Sequence, residues 1–192
     1  MRKLALLALL AGSAATPAVA QEPAAHGGLR VEALVGYDNI GADGVTADGP
    51  VYGLGLGYDF QAGSLVAGLE AEASDSGADE CSQSADPAAR WRCVAGGRDL
   101  YAGGRIGVAV GTRALLYAKA GYANSRVTAV PVVTVPVFPP PDFRRELDGI
   151  RAGAGVEIGL TARLFVKTEY RYTNYEDGFD RHQLVGGIGL RF

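Results

Sequence analysis

The sequence predicts an all-β fold: an eight-stranded, antiparallel, up-and-down transmembrane β-barrel. Apolar and polar residues alternate in blocks with a period of two, which is the period of side chains along a β-strand. Most blocks are nine to thirteen residues long. A strand of a soluble sheet usually has about 5–6 residues, whereas a tilted strand that crosses a bilayer needs about 9–11. The connections between the blocks are alternately tight and long.

The N-terminus has the pattern of a secretory signal peptide. Arg2 and Lys3 give it a positive start, and Ala18-Val19-Ala20 is a small-residue cleavage site. The apolar stretch Leu4–Ala11 between them is too short to span a bilayer as a helix, although a retained N-terminal anchor is an alternative. The sequence therefore predicts three segments: a cleaved signal peptide (1–20), a short periplasmic segment (21–28) and the barrel (29–192).

The strands are predicted from the alternation itself. In the block from Val51 to Phe60, tyrosine, leucine and phenylalanine residues alternate with glycines and Asp59. No long segment has the spacing of three and four that a helix requires. Eight blocks are predicted as strands: 29–38, 50–60, 65–74, 98–110, 114–124, 147–158, 162–174 and 181–192.

The connections give the orientation of the barrel. Tight turns are expected at 61–64, 111–113 and 159–161, and a strict alternation of this kind is not required in a soluble sandwich. Outer-membrane barrels have short periplasmic turns and longer outer loops, so both termini are expected in the periplasm. The outer connections are expected at 39–49, 75–97 and 125–146, which are long, and at 175–180.

The inward-facing positions carry charges of both signs. A soluble barrel would fill its interior with apolar side chains, because an unpaired buried charge is very costly. An eight-stranded barrel is only wide enough for its own interior side chains, so we interpret these charges as a plug that supports the fold; a charged constriction that selects solutes is the alternative. The predicted lumen network is Glu32, Glu70, Glu72, Arg105, Lys119, Arg151, Glu157, Lys167, Glu169 and Arg171.

Aromatic residues fall near the ends of the predicted strands. Such rings favour the two membrane–water interfaces, where one end is apolar and the other is wet. The predicted outer girdle is Tyr37, Tyr52, Tyr122, Tyr170 and Tyr172, and the predicted periplasmic girdle is Tyr58, Phe60 and Phe192.

Composition excludes several classes of function. Without Arg2 and Lys3 the chain has 16 basic and 21 acidic residues, a formal charge of −5, which argues against nucleic acid as a partner. His26 and His182 are the only histidines, so neither a metal site nor a cofactor is expected. The two cysteines, Cys81 and Cys93, are expected to form a disulfide in an exported protein. Such a bond would stabilise its loop by about 3 kcal/mol.

Two outer segments have unusual composition. The segment 125–146 contains five prolines between Val127 and Arg145, which predict a stiff, extended chain rather than a regular central strand. The segment 75–97 contains the cysteines and Arg90-Trp91-Arg92. Both are candidate contact surfaces for a partner; the alternatives are that the first folds over the barrel mouth and that the second only anchors its loop at the membrane surface.

The last two blocks resemble a known family. Residues 181–192 and 164–172 resemble the final strands of the OmpA/OmpX-like and opacity-type outer-membrane β-barrel family. The resemblance implies an assembly signal, read by the barrel-assembly machinery, in Leu184, Ile188, Leu190 and Phe192. It also implies a surface antigen, adhesin or envelope-stabilising protein without an assigned reaction. No peptidoglycan-binding domain is expected after Phe192.

Together these patterns predict a non-enzymatic barrel of the bacterial outer membrane with a structural, adhesion or surface-interaction role. Its expected partners are outer-membrane lipid and lipopolysaccharide, the barrel-assembly machinery and a surface partner of the two outer segments. A narrow porin-like channel is the first alternative. A lipid A-modifying enzyme that uses His182, the one histidine of the predicted strands, is the second.

Overall fold

A computed structural model describes residues 26–42, 45–82, 91–132 and 144–192. The predicted signal peptide and residues 21–25 lie outside the described residues. No helix in the described ranges has the length and apolar character needed to cross a membrane. Within these ranges the chain forms β1 (Gly28–Ala42), β2 (Val45–Ala62), β3 (Leu65–Ser76), β4 (Asp79–Ser82), β5 (Trp91–Ala95), β6 (Asp99–Val110), β7 (Ala114–Val132), β8 (Arg144–Gly159), β9 (Leu164–Tyr175), a short 3-10 helix (Glu176–Gly178) and β10 (Asp180–Arg191).

Eight of these strands form a closed antiparallel ring. They pair in the order β1-β2-β3-β6-β7-β8-β9-β10, and β10 pairs with β1 to close the barrel. The predicted eight-stranded up-and-down barrel is therefore confirmed. At the end of the ring where the chain termini lie, which we call the periplasmic end after the predicted orientation, the strands coincide with the eight predicted blocks to within two residues. Closure leaves no open edge in the ring, as a bilayer requires, because lipid offers no partners to backbone hydrogen-bonding groups.

The ring is strongly staggered. A path that steps from each residue to the one directly opposite, once around the ring, starts at position 60 of β2 and returns to β2 at position 50. This path, which we call the register row, therefore climbs from the periplasmic end to the outer end of the barrel. Such a stagger goes with strands tilted by about 35–45°. The row passes through Phe60, Ala67, Ile106, Ala118, Ala154, Tyr170, Leu184, Tyr37 and Pro50.

The outer ends of the strands extend further than the sequence predicts. The expected long connection 39–49 is mostly paired strand, because β1 continues to Ala42 and β2 begins at Val45. Outward-facing residues in this extension, such as Asn39 and Asp48, are polar rather than apolar. The apolar alternation stops where the strand leaves the lipid, although the backbone pairing continues beyond that point.

The segments 75–97 and 125–146 also contain regular structure. β4 and β5 form a hairpin, and β5 pairs with the outer part of β7. β7 includes Pro131, although the prolines predict a stiff, extended chain rather than a regular central strand. Proline fits there because the described β7–β8 pairing stops at Thr128, so Pro131 borders β5 on one side only. Residues 83–90 and 133–143 lie outside the described part of the chain.

The barrel is apolar outside and polar inside. Leu54, Leu69 and Ile150 point outward and are 68%, 68% and 72% exposed, as expected for a wall that faces lipid. Charged side chains fill most of the interior. Glycine leaves room for them: a Cβ atom on Gly57 would lie 2.7 Å from the guanidinium carbon of Arg30.

Candidate functional site

The interior contains sixteen charged side chains among the described residues, each at most 7% exposed. Eight are cations and eight are carboxylates, so the formal charges cancel. The structure places all ten residues of the predicted lumen network among them. The cations are Arg30, Arg105, Lys119, Arg151, Lys167, Arg171, Arg181 and Arg191, and the carboxylates are Glu32, Asp38, Asp59, Glu70, Glu72, Asp99, Glu157 and Glu169.

A central cluster forms around Lys119 on β7. The ammonium nitrogen of Lys119 lies 2.7 Å from Glu70, 2.8 Å from Glu72 and 3.1 Å from Glu169. It also lies 4.4 Å from the centre of the Tyr101 ring, within the range of a cation–π contact. One cation thus pairs with carboxylates from two strands, β3 and β9.

Two further cations complete the central cluster from β9. Lys167 lies 2.7 Å from Glu32, and it also reaches Glu169 at 3.4 Å. Arg171 donates to Glu72 over 2.9 Å and pairs with Glu169 on its own strand. The Tyr117 hydroxyl donates to Glu169 over 2.6 Å. These contacts link strands that are far apart in the sequence.

A periplasmic cluster closes the lower end of the lumen. Arg105 donates to Asp59 and to Glu157, the latter over 3.2 Å. Arg191 on the last strand lies 2.5 Å from Glu157. Arg30 joins this cluster to the central one, because it lies 3.2 Å from Asp59 and pairs with Glu70.

An outer cluster closes the upper end. Arg151 and Arg181 each lie 2.5 Å from the same oxygen of Asp99. Arg181 also forms a two-pronged ion pair with Asp38. Charge-assisted pairs of this kind are among the stronger hydrogen bonds in proteins. Together the three clusters extend through the lumen from its periplasmic end to Asp38 and Asp99 on the outer side.

Six of the sixteen interior charges are absent from the predicted network. Like the predicted ones, they occupy the alternate strand positions that face inward. Asp59, for example, lies between outward-facing Tyr58 and Phe60. The signal was therefore present in the alternation, since all six lie inside the predicted blocks, near their ends. The six are Arg30, Asp38, Asp59, Asp99, Arg181 and Arg191.

The predicted girdle and assembly-signal residues all lie on the outward surface. The exposed fraction of the girdle side chains is between 37% and 64%, and that of the assembly-signal side chains between 44% and 64%. At the outer end the Tyr122 hydroxyl donates to Asp148 over 2.5 Å. Exposed side chains on the outward surface are what the predicted girdles require; the girdles themselves and the reading of the last strand by the assembly machinery stay predictions.

The predicted disulfide falls on the β4–β5 hairpin. Cys81 lies directly opposite Cys93 in the register of this hairpin. Opposite residues of antiparallel strands have Cα atoms about 4.5–5.5 Å apart, which suits the geometry of a disulfide. The side chains of residues 80–95 lie outside the described part of the structure, so the bond itself stays a prediction.

The outer rim, beyond the girdle, is largely acidic in the described residues. Asp48, Asp75, Asp148 and Glu176 are exposed there. Glu146 is also exposed and accepts a hydrogen bond from Arg126 over 2.8 Å. This hydrogen bond, together with the positive charge of Arg126, holds the pKa of Glu146 below its ordinary value.

His182 lies at the outer end of β10 with two polar neighbours. Its Nδ1 is 2.7 Å from the Tyr170 hydroxyl and its Nε2 is 3.2 Å from an oxygen of Asp180. Its ring centre is 4.9 Å from that of Tyr172. The hydroxyl that contacts this imidazole among the described residues is thus the phenol of Tyr170.

Comparison with known proteins identifies the family and supports the fold. A family model described as "Outer membrane protein beta-barrel domain" matches residues 4–192. A 22 kDa outer membrane protein of Rhizobium leguminosarum bv. viciae is 29% identical over 173 residues, which cover 82% of this chain and 74% of that protein.

Solved outer-membrane barrels share the fold at low sequence identity. Ail, the attachment invasion locus protein of Yersinia pestis, solved with the heparin analogue sucrose octasulfate, has a TM-score of 0.58 and 13% identity. The match covers 86% of this chain and 99% of Ail. Neisserial surface protein A has a TM-score of 0.59 and 14% identity, and the match covers 85% and 97% of the two chains.

Proposed function

This chain belongs to the outer-membrane β-barrel family and resides in the bacterial outer membrane, and from that premise we propose that it is a non-conducting barrel. Its role is structural, adhesive or surface-interacting, and it is exerted through the outer wall and the outer segments. The observation that carries this proposal is the filled, charge-balanced lumen.

The lumen argues against the alternative of a narrow channel. A permeating ion would have to displace charges that are already paired, such as Lys119 with its three carboxylates. Breaking one buried pair by removal of a partner costs about 3–5 kcal/mol. Three clusters in series present such a barrier at the periplasmic end, in the centre and at the outer end.

The test is single-channel recording on the purified, folded protein in planar bilayers. We expect no steady conductance steps. Insertion is verified in parallel by the mobility of unboiled and boiled samples on a detergent gel, where a folded barrel shifts on heating. Reproducible steps from protein that passes this control would show that the lumen conducts and would contradict the proposal.

We assign surface contacts to the segments 75–97 and 125–146, which lie at the outer end. The β4–β5 hairpin and the outer part of β7 pair with each other there, so they form one continuous projecting sheet. Replacing residues 83–90 and 133–143 with short glycine-serine linkers should reduce adhesion or envelope resistance to detergent. The heat-dependent gel shift should be retained. Unchanged adhesion and unchanged resistance would contradict this assignment.

We further propose that the barrel catalyses no reaction on lipid A. The support is the environment of His182, whose nearest described hydroxyl belongs to Tyr170. A His182→Ala strain should have the same lipid A profile by mass spectrometry as the wild type. A profile that changes in this strain, and is restored by the wild-type gene, would reveal an enzyme.

A further inference from the structure

We propose that the outward surface of the barrel holds one outer-leaflet glycolipid, with an acyl chain in a diagonal groove and sugar hydroxyl groups on a polar ledge at the upper end of that groove. The proposal deepens the expected contact with lipopolysaccharide and rests on the membrane location of the proposed function. It is independent of whether the lumen conducts.

The groove has a volume of about 840 Å³, and the surface that lines it is almost entirely apolar. It extends from Leu65 on β3 to Leu184 on β10 and therefore crosses six neighbouring strands. Strands lie about 4.8 Å apart, so five spacings give a length of about 24 Å. This length suits an extended acyl chain rather than a compact ligand.

The stagger of the barrel gives the groove its direction. Part of its lining follows the register row, in which Ile106, Ala118, Ala154 and Tyr170 are successive opposite residues. Because this row climbs from Phe60 at the periplasmic girdle to Tyr37 at the outer girdle, the groove is inclined through the membrane. The two alanines lie between larger side chains and account for its depth.

The groove is continuous with the lipid-facing surface, and this continuity indicates what occupies it. Leu116, Ile106 and Leu184 line the groove and are 50–62% exposed, and they belong to the same apolar surface that contacts the bilayer. Hydrocarbon is therefore what fills the groove in a membrane. The upper end of the groove, at Tyr170 and Leu184, is on the outer side, so a chain that enters the groove there belongs to a lipid of the outer leaflet.

The ledge at the upper end has the chemistry of a sugar-binding surface. It consists of Tyr170, Tyr172, Asp180 and His182, whose mutual contacts orient the phenol, the imidazole and the carboxylate. Hydroxyl and imidazole groups both donate and accept hydrogen bonds, as sugar hydroxyl groups do. Asp180 and nearby Glu176 disfavour a phosphate, so the sugar rather than a phosphate is the recognised group.

The test measures lipid bound to the detergent-purified barrel by native mass spectrometry. The probes are dephosphorylated lipid A and a phosphatidylglycerol of similar acyl chain length. We expect the wild type to prefer the glycolipid by about tenfold, or about 1.4 kcal/mol. Ala118→Leu and Ala154→Leu should each lower binding of both lipids. His182→Phe should lower binding of the glycolipid only.

Ala33→Leu is the matched control, because Ala33 is an outward-facing alanine of β1 that does not line the groove. It should bind both lipids as the wild type does, and all variants should keep the heat-dependent gel shift. Equal binding of the two lipids by the wild type, or equal losses in Ala33→Leu and Ala154→Leu, would overturn the proposal. A wild-type dimer that Ala154→Leu converts to monomer would also overturn it, since a second copy would then fill the groove.

Discussion

At the scale of single residues, the interior depends on cations shared between carboxylates. The Lys119 ammonium is fully buried and contacts Glu70, Glu72 and Glu169. Without it, three acids of the central cluster would lose a common partner in a space closed to water. The pairs themselves add little net stability, but removing one partner is costly because it leaves a buried charge unpaired.

Lys119→Met keeps an unbranched side chain, one atom shorter, and removes its charge. We expect it to lower the free energy of unfolding by about 3–5 kcal/mol, because it leaves buried carboxylates uncompensated. Equilibrium urea unfolding in lipid vesicles measures the change. Arg126→Met is the matched control, since Arg126 is 40% exposed on the rim, and its loss should be at most about 1 kcal/mol. Equal losses would show that the central cluster is not a plug.

The rim pair Arg126–Glu146 gives a pH-dependent prediction. The pKa of Glu146 is lowered in the fold, so the pair stabilises the protein above the ordinary pKa of glutamate and this stabilisation is lost as the pH falls through the lowered value. Arg126→Gln should raise the pKa of Glu146, as followed by carboxyl NMR in micelles. Arg113→Gln, on a periplasmic turn, should leave the pKa of Glu146 unchanged. If Arg126→Gln also left it unchanged, Arg126 would not be the cause of the lowered pKa.

At the scale of elements, each long strand has a lipid-facing part and a wet outer extension. On β2, Leu54 is 68% exposed at mid-membrane, whereas Thr46 of the same strand faces outward beyond the girdle. The strand is continuous across this boundary, and only the outward side chains change from apolar to polar. The sequence therefore shows where the strand passes from lipid into water, but it does not show where the strand ends.

Leu54→Arg and Thr46→Arg place the same charge at two depths of one strand. We expect the first to lower the free energy of unfolding by about 2–4 kcal/mol and the second by about 0–1 kcal/mol, because the cost of a charge on the lipid face falls towards the interface. Unfolding in vesicles at several urea concentrations measures both. Similar losses at the two positions would mean that Leu54 does not face hydrocarbon.

At the scale of the whole molecule, closure of the barrel depends on the β1–β10 seam. Gly36 on β1 lies directly opposite Val185 on β10. A Cβ atom added at Gly36 would contact the Leu184 carbonyl oxygen and lie 2.8 Å from the Cα of Val185. Backbone atoms cannot move aside as a flexible side chain can, so glycine lets the two terminal strands approach and close the ring.

Gly36→Ala should therefore destabilise the barrel by about 1–3 kcal/mol through overpacking. The folded fraction, measured from the heat-shifted gel band after refolding, should fall. Gly186→Ala on the other side of the same seam is the control, because the nearest atom to its added Cβ would be the Val35 oxygen at 3.8 Å. If both variants refold as the wild type does, close approach at this seam does not limit closure.

The sequence by itself determined the number of strands in the barrel, their faces and their periplasmic ends. These are local properties: an outward residue meets lipid and an inward residue does not, and this contrast repeats every two positions. Tight turns between such blocks then determine an up-and-down order. The ten predicted lumen residues were found for the same reason, since the two-residue alternation alone assigns a residue such as Glu169 to the inside.

Only the tertiary structure decided which charges meet and where the wall is concave. Lys167 lies 2.7 Å from Glu32, 135 positions away in the chain. The alternation places both side chains inside the barrel, but it does not determine the height of either residue along the barrel axis. That height depends on the stagger of the closed ring, which brings position 60 of β2 into one row with position 50. The groove over Ala118 and Ala154 follows the same row, so it too exists only once eight strands have closed in this register.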